Sequence, residues 1–509
     1  MKLTKSLISS AGMFAAAGAQ AADLPMKAKP VEYAKVCPLY GAGFYYIPGT
    51  ETCIKLGGYL RVWTGLRSNY AAGTADSGLG GAQNRLSNSY TMRSQGLLNI
   101  DTRTATEYGL LRTFFAGAMR WTTGGYSGQG NGSTVYQSIG GISAPNNANP
   151  GAVAGGTLAV SYAFIQFAGF TIGKAQSQFS PPWADYPANW YDLPGSGGWE
   201  PPNQFTYTAD FGHGITASFS AQDQVVNYTS NVWNVSAVTP ASLAAGSYGA
   251  NDIGATRAPD LVAMLRVDQS WGLFQASVAA HDNHAAYYGA TEVTGHPEDK
   301  WGWASQLALS IKNIPTGPGD TINMAGVYTK GASRYNFHSY ESSTFAMYGG
   351  TTLAGVYQSI GLAGLSDSVF VTGSGQELTT TFGFNGGYTH NWDPHWATAI
   401  YGGWGAVRYN GTAKGYICNA VVTGLALSSG FAGCNPDFNY ASVGTYTSWT
   451  PVKGLTFLGE LNYTMLDQKY ASGSTVTLPV QSSIAKPGAA YELRNQNSLT
   501  MLLSAQRNW

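Results

Sequence analysis

Five arginines raise the first chemical question. Arg61 stands in "IKLGGYLRVW", Arg93, Asp101 and Arg103 in "MRSQGLLNIDTRT", and Arg112 and Arg120 in "LLRTFFAGAMRW". A guanidinium is always charged and offers several N–H donors in a fixed fork, so a group of them can attract and screen anions. Opposite charge gathers in "QSQFSPPWADYPANWYDLPGSGGWEPPN", residues 176–203. That stretch holds Asp185, Asp192 and Glu200, no basic residue, and five Trp or Tyr rings. Basic side chains facing an acidic, ring-rich loop would set a field across any water between them. Catalytic sets are harder to assemble. "HDNH" puts His281 and His284 on opposite faces of an extended strand, so the pair cannot share a metal. H-E-x-x-H, P-loop and G-x-S-x-G patterns do not occur, and "GGYSGQGNG" lacks the lysine and helix of a phosphate cradle. Neither catalytic residues nor a metal or cofactor is therefore expected.

The elements that position these groups follow from a period of two. In residues 300–312, Trp301, Trp303, Leu307, Leu309 and Ile311 share one face, and Gly302, Ala304, Gln306, Ser310 and Lys312 share the other. In residues 455–466, Leu455, Phe457, Leu461, Tyr463 and Met465 alternate with Thr456, Glu460, Asn462 and Thr464. In residues 110–121, Leu111, Thr113, Phe115, Met119 and Trp121 oppose Arg112 and Arg120. A soluble sandwich also alternates, but its strands usually run about 5–6 residues. The runs here have the length that a tilted strand needs to cross a bilayer.

Connections alternate between tight and long. Tight turns fall at 106–109, 168–170, 211–214, 269–272, 312–319, 391–395 and 450–454. Long Gly/Ser/Asn-rich stretches fall near 66–93, 122–156, 177–202, 225–257, 284–299, 333–376, 410–437 and 468–495. Seven short and eight long connections predict sixteen strands, with both termini on the short-turn side. Tyr108, Phe170, Phe211, Trp271 and Trp392 beside the short turns would form an inner aromatic girdle. If Ile54, Leu56, Leu60 and Val62 face lipid, then Lys55, Tyr59 and Arg61 face inward. The same parity turns Arg93, Asp101, Arg103, Arg112 and Arg120 inward, as a basic ladder on one wall. The alternative is that each arginine pairs locally, as Arg103 with Asp101. Facing lipid at mid-depth, an arginine would cost ~2–4 kcal/mol.

Composition agrees. Only 11% of residues are charged, against 66 Gly, 32 Tyr and 14 Trp, and no apolar run of helix-spanning length follows the first twenty residues. Low charge, many rings and no apolar helix leave a closed transmembrane antiparallel β-barrel as the all-β architecture compatible with a membrane. Lys2 and Lys5, the apolar run 6–19 and "AQAAD" read as a secretory leader cleaved near Ala21 or Ala22, so 1–22 is expected to be a signal peptide. Removing Lys2 and Lys5 leaves 25 basic residues against 27 acidic ones, a net charge of −2, which gives no bulk attraction for nucleic acid. Export meets an oxidising compartment, where disulfides persist. The four cysteines allow three pairings, and proximity favours Cys37 with Cys53 and Cys418 with Cys434.

With these residues in view, the chain resembles the trimeric general-diffusion porins of alphaproteobacteria. The resemblance runs from "DLPMKAKPVEYAKVCPLYGAGFYYIPGTETCIKLGGYLR" through "DTRTATEYGLLRTF", "YAFIQFAGFTIGKAQS", "APDLVAMLRVDQSWGLFQAS" and "DKWGWASQ" to "SWTPVKGLTFLGELNYT". Trp509 stands where that family usually ends in Phe, and 333–376 carries no recognisable motif. The resemblance implies a 23–52 periplasmic segment ahead of a 53–509 barrel, and an inward-folded constriction loop at about 176–203. It also implies a homotrimer, with 122–156 against the neighbouring subunit, in the outer-membrane lipid of a Gram-negative cell. The expected activity is a water-filled channel for passive diffusion of ions and small hydrophilic molecules. A sugar- or carboxylate-selective channel and a non-conducting adhesive barrel are the alternatives.

Overall fold

The computed structural model describes residues 35–67, 76–123, 152–153, 156–188, 191, 193–199, 201–223, 228–338 and 342–509. The expected leader 1–22, most of 122–156, Asp192 and Glu200 lie outside them. Among the described residues sixteen strands form the wall: β1 (Cys53–Leu66), β2 (Tyr90–Thr106), β3 (Gly109–Thr123), β4 (Gly156–Phe167), β5 (Phe170–Lys174), β6 (Asn203–Asp210), β7 (Ile215–Gln222) and β8 (Asp260–Gln269). The second half comprises β9 (Gly272–Asn283), β10 (Lys300–Lys312), β11 (Thr321–Lys330), β12 (Thr380–Asn391), β13 (Trp396–Arg408), β14 (Phe438–Val452), β15 (Leu455–Gln468) and β16 (Gln496–Asn508). Each strand pairs antiparallel with its neighbours in this order. β16 returns to β1, with Tyr59 opposite Asn508 and Leu66 opposite Met501. Closure leaves no free sheet edge, so wall N–H and C=O groups pair across the ladder from strand to strand.

The alternation read from sequence sorts side chains as expected. Leu56, Leu60, Trp301, Trp303, Leu307, Phe457 and Leu461 are exposed on the outer face, while Trp63, Ala304, Gln306, Glu460 and Asn462 are buried within. Tyr108, Phe170, Phe211, Trp271 and Trp392 are exposed beside the short turns. At that same end Cys37 bonds to Cys53, and Tyr45–Tyr46 adds a short strand against Ile54 and Cys53. The small cluster of Cys37, Phe44 and Cys53 has little other apolar support. Closing a loop of this size is worth roughly 3 kcal/mol in the chain-entropy account.

The long connections depart from the sequence reading. They contain an ordered core of their own, which packs on wall residues such as Val407, Phe438 and Leu466. Segments 231–234 and 250–251 join 366–370 and 377–378 in one four-stranded sheet, and 344–349, 358–364, 475–478 and 489–493 form a second. The 410–437 stretch, read as an irregular loop, contains the helix Gly411–Leu425. Its cause is visible in the sequence: Ala413, Ile417, Val421 and Leu425 recur every fourth residue and all are buried. Asn410 caps the helix by accepting from the Ala413 amide at 2.9 Å. Cys418–Cys434 then ties the helix to the segment that follows it. These loops meet in one apolar cluster that includes Trp233, Phe345, Ile417, Phe438 and Tyr491.

Candidate functional site

The described residues between Lys174 and Asn203 leave the wall because β5 is only five residues long, so the chain turns inward well before its neighbours end. The inner wall holds this segment by side-chain amides. Gln204 donates to the carbonyls of Ala175 and Gln176, at 2.6 and 2.8 Å. Gln275 donates to the Phe179 and Ser180 carbonyls, both at 3.1 Å. Gln306 donates to the Phe179 carbonyl at 2.7 Å, and Asn323 to the Tyr186 carbonyl at 3.0 Å. These amides, on β6 and on the successive strands β9, β10 and β11, satisfy loop carbonyls that the barrel interior would otherwise leave unpaired. Sequence reasoning missed them, because an uncharged Gln or Asn at inward parity does not by itself distinguish a loop carbonyl from water.

Having crossed the lumen, the loop packs on the wall. Ala188, Tyr191 and Leu193 bury against Trp63, Ala399, Tyr401, Tyr446 and Leu502, from β1, β13, β14 and β16. At Gly195 the backbone adopts φ +101°, and an added Cβ would lie 2.2 Å from the Phe384 carbonyl carbon of β12. Only glycine fits there. Asn336, from the 333–376 stretch, accepts the Gly195 amide with both its backbone oxygen, at 2.9 Å, and its Oδ1, at 3.0 Å. That stretch, which carried no motif, therefore braces the constriction loop.

Between loop and wall lies a cavity of about 560 Å³. Arg61, Arg93 and Arg120 line one side, and Trp183, Asp185, Tyr186 and Trp199 belong to the loop side. Register explains the grouping: Arg61 lies opposite Gln95, Gln95 opposite Arg120, and Trp63 opposite Arg93. Neutral acceptors hold the three Nε atoms: Gln506 for Arg61, Thr122 for Arg93 at 2.7 Å, and Gln95 for Arg120 at 2.9 Å. The Arg61 guanidinium lies 4.4 Å from the Tyr59 ring centre, and that of Arg93 lies 5.4 Å from Trp63. A ring face and a neutral acceptor at Nε hold Arg61 and Arg93 in place, and the Gln95 acceptor holds Arg120.

The other two arginines behave differently. Arg103 lies opposite Arg112, near the short turn between β2 and β3. Both close on Asp101, each ion pair at 3.0 Å. The ladder is thus split into two stations, separated along β2 by the eight residues from Gln95 to Arg103, ~26 Å of extended chain. Asp101 partly neutralises the lower one. Asp185 is also committed: its side chain is only 10% exposed, with His338 Nε2 at 3.1 Å. Ser196 Oγ and Asn385 Nδ2 donate to its other oxygen. Of the remaining acids named from sequence, Asp192 and Glu200 lie outside the described residues. His281 and His284 do not converge: His281 is buried beside Asp260 at 2.9 Å, and His284 pairs with Asp299 at 2.8 Å.

The profile of a family described as a porin subfamily matches residues 23–502. Porin Omp2a of Brucella ovis is 34% identical over 179 residues, covering 34% of this chain and 46% of that protein. Porin Omp2b of Brucella abortus strain 2308 is also 34% identical over 179 residues, covering 34% of this chain and 41% of its own length. The matched region thus spans less than half of these curated relatives. In fold, the chain is similar to the outer membrane channel DcaP of Acinetobacter baumannii, with a TM-score of 0.53. That likeness comes at 13% identity over 91% of this chain and 99% of the other.

Proposed function

We propose, from the premise that this chain belongs to the porin subfamily, that it forms a water-filled channel in the outer membrane of a Gram-negative cell. Ions and small hydrophilic molecules diffuse through it passively. The observation that carries this reading is the loop held across a closed barrel, leaving a cavity between itself and an arginine-bearing wall. A channel needs a fixed narrow station lined by groups that replace or order water, and the amide-pinned loop supplies one.

Arg61, Arg93 and Arg120 with the loop residues make the constriction, and Arg103, Arg112 and Asp101 form a second, weaker station below it. With three cations at the upper station and Asp185 engaged by its own loop and wall, the channel favours anions. Family membership supports a channel in preference to an enzyme. Residues 1–22 serve as the export leader, 23–52 as a periplasmic segment, and the functional unit is a homotrimer, as the family resemblance implies.

Planar-bilayer conductance tests the reading. Discrete steps in KCl, with a reversal potential of anion-selective sign in a salt gradient, are the expected result. A folded barrel that conducts no ions would overturn it in favour of a structural surface protein. Gel mobility before and after heating checks the trimer; a monomer under gentle extraction refutes that part alone.

A further inference from the structure

The upper station carries more aromatic surface than ion screening requires. Trp199 and Tyr186 leave 39% and 42% of their surface exposed, and both line the cavity that Arg61, Arg93 and Arg120 share. Rings left in water forgo the gain of burial, and a hydrated anion draws nothing from their electronegative faces. The fold nonetheless fixes both. Trp199 meets Tyr162 at 89° with ring centres 5.7 Å apart. The Tyr186 hydroxyl accepts a hydrogen bond from that of Tyr446 at 3.0 Å, and its backbone carbonyl is held by Asn323. Two rigid, open rings therefore stand across a cavity from a cluster of guanidinium groups. On the same loop, the Trp183 indole N–H has no hydrogen-bond partner among the described residues.

From the juxtaposition of the Arg93 and Arg120 guanidinium groups with the open Trp199 and Tyr186 rings, we propose that this station binds planar aromatic carboxylates. The inference rests on the channel reading above and specifies its preferred solute. The carboxylate engages the arginine side, where planar forks suit its two oxygens, while the flat ring of the solute stacks on Trp199 or Tyr186. Neutral sugars fit the lining less well. They stack on rings, but their hydroxyls also need acceptors, and the carboxylate of Asp185 is already taken by Ser196, Asn385 and His338.

Single-channel KCl currents through the full chain in planar bilayers provide the test, with benzoate, cyclohexanecarboxylate and glucose as probes. The two carboxylates have the same charge and similar size, and only one is flat and aromatic. Benzoate is expected to block saturably at about one-fifth the concentration needed for cyclohexanecarboxylate, the difference one aromatic contact of ordinary strength makes. Trp199→Leu or Tyr186→Leu, whichever removes the stacking ring, is expected to abolish that ratio. Arg93→Gln is expected to weaken both carboxylates alike. Equal block by the two acids in the unaltered protein overturns the proposal without recourse to any variant, as does tighter block by glucose than by benzoate. A ratio that survives both Trp199→Leu and Tyr186→Leu in folded barrels overturns it too. A total lack of KCl current would refute the channel reading itself and this proposal with it.

Discussion

Replacing Arg93 by Gln removes one positive charge from the upper station while keeping a polar side chain of similar reach. The cavity of about 560 Å³, the space open to water centres, corresponds to a sphere of ~5 Å radius, so a centred ion passes ~6 Å from the lining atoms just beyond it, where a unit charge contributes ~0.7 kcal/mol in a water-like medium. At 0.1 M salt the screening length of ~10 Å reduces this to ~0.4 kcal/mol. A cation gains that amount and an anion loses it, so the permeability ratio shifts by ~0.8 kcal/mol, or about fourfold toward cations. In 1 M salt the Debye length is only ~3 Å, and the same change shrinks to about 1.4-fold. Reversal potentials in a KCl gradient measure the ratio directly. Arg61→Gln and Arg120→Gln should behave alike. Arg103→Gln and Arg112→Gln should shift it less, because they face Asp101 and lie outside this cavity. A larger shift from Arg103→Gln or Arg112→Gln than from Arg93→Gln would refute the division into two stations.

Three further outcomes are expected. Gly195→Ala places a methyl against the Phe384 backbone at a positive φ, so the constriction loop must move off β12; single-channel conductance should rise or become noisy while heat-modifiable mobility persists, and unchanged traces would show that this contact does not position the loop. Asp367 is buried in the 333–376 stretch: burial pushes its carboxyl up, but the His281 imidazole and the amides of Ser230 and Ser333 win and hold it below the usual carboxylate range. Asp260 and Tyr335 complete its surroundings. A depressed pKa adds stability above the unfolded value of about 3.9 that is lost as pH falls through the lower folded value, so proteolytic resistance of this brace should persist at pH 5 and fail only in stronger acid. Asp367→Ala, which leaves buried partners uncompensated, should cost 3–5 kcal/mol or so of local stability and expose the stretch to protease at neutral pH. Finally, reduction of Cys37–Cys53 and Cys418–Cys434 should leave single-channel conductance unchanged, since neither bridge touches the lumenal cavity; peptide mapping that finds Cys53 joined to Cys418 would contradict the local pairing.

Strand number, closure and the inside and outside of each strand were legible in the sequence, and proximity, without deciding among the three pairings, favoured the two cysteine pairs that form. These properties depend on local quantities: a period of two, the spacing of turn residues, and the short loops between paired cysteines. The inward parity of all five arginines was legible for the same reason. Which arginines share a station was not, because that depends on the stagger between strands. Register places Arg93 beside Trp63 and Arg120 beside Gln95, yet sends Arg103 and Arg112 to Asp101. The fate of Asp185 was equally hidden: its partners His338 and Asn385 are 153 and 200 positions away along the chain. The helix at Gly411–Leu425 was a missed local signal, since its every-fourth-residue stripe was present in the sequence. The brace by Asn336 and the amide row of Gln275, Gln306 and Asn323 had no such local signal. A glutamine at inward parity reads the same whether it meets water or a loop carbonyl, and only folding the loop across the barrel decides between them.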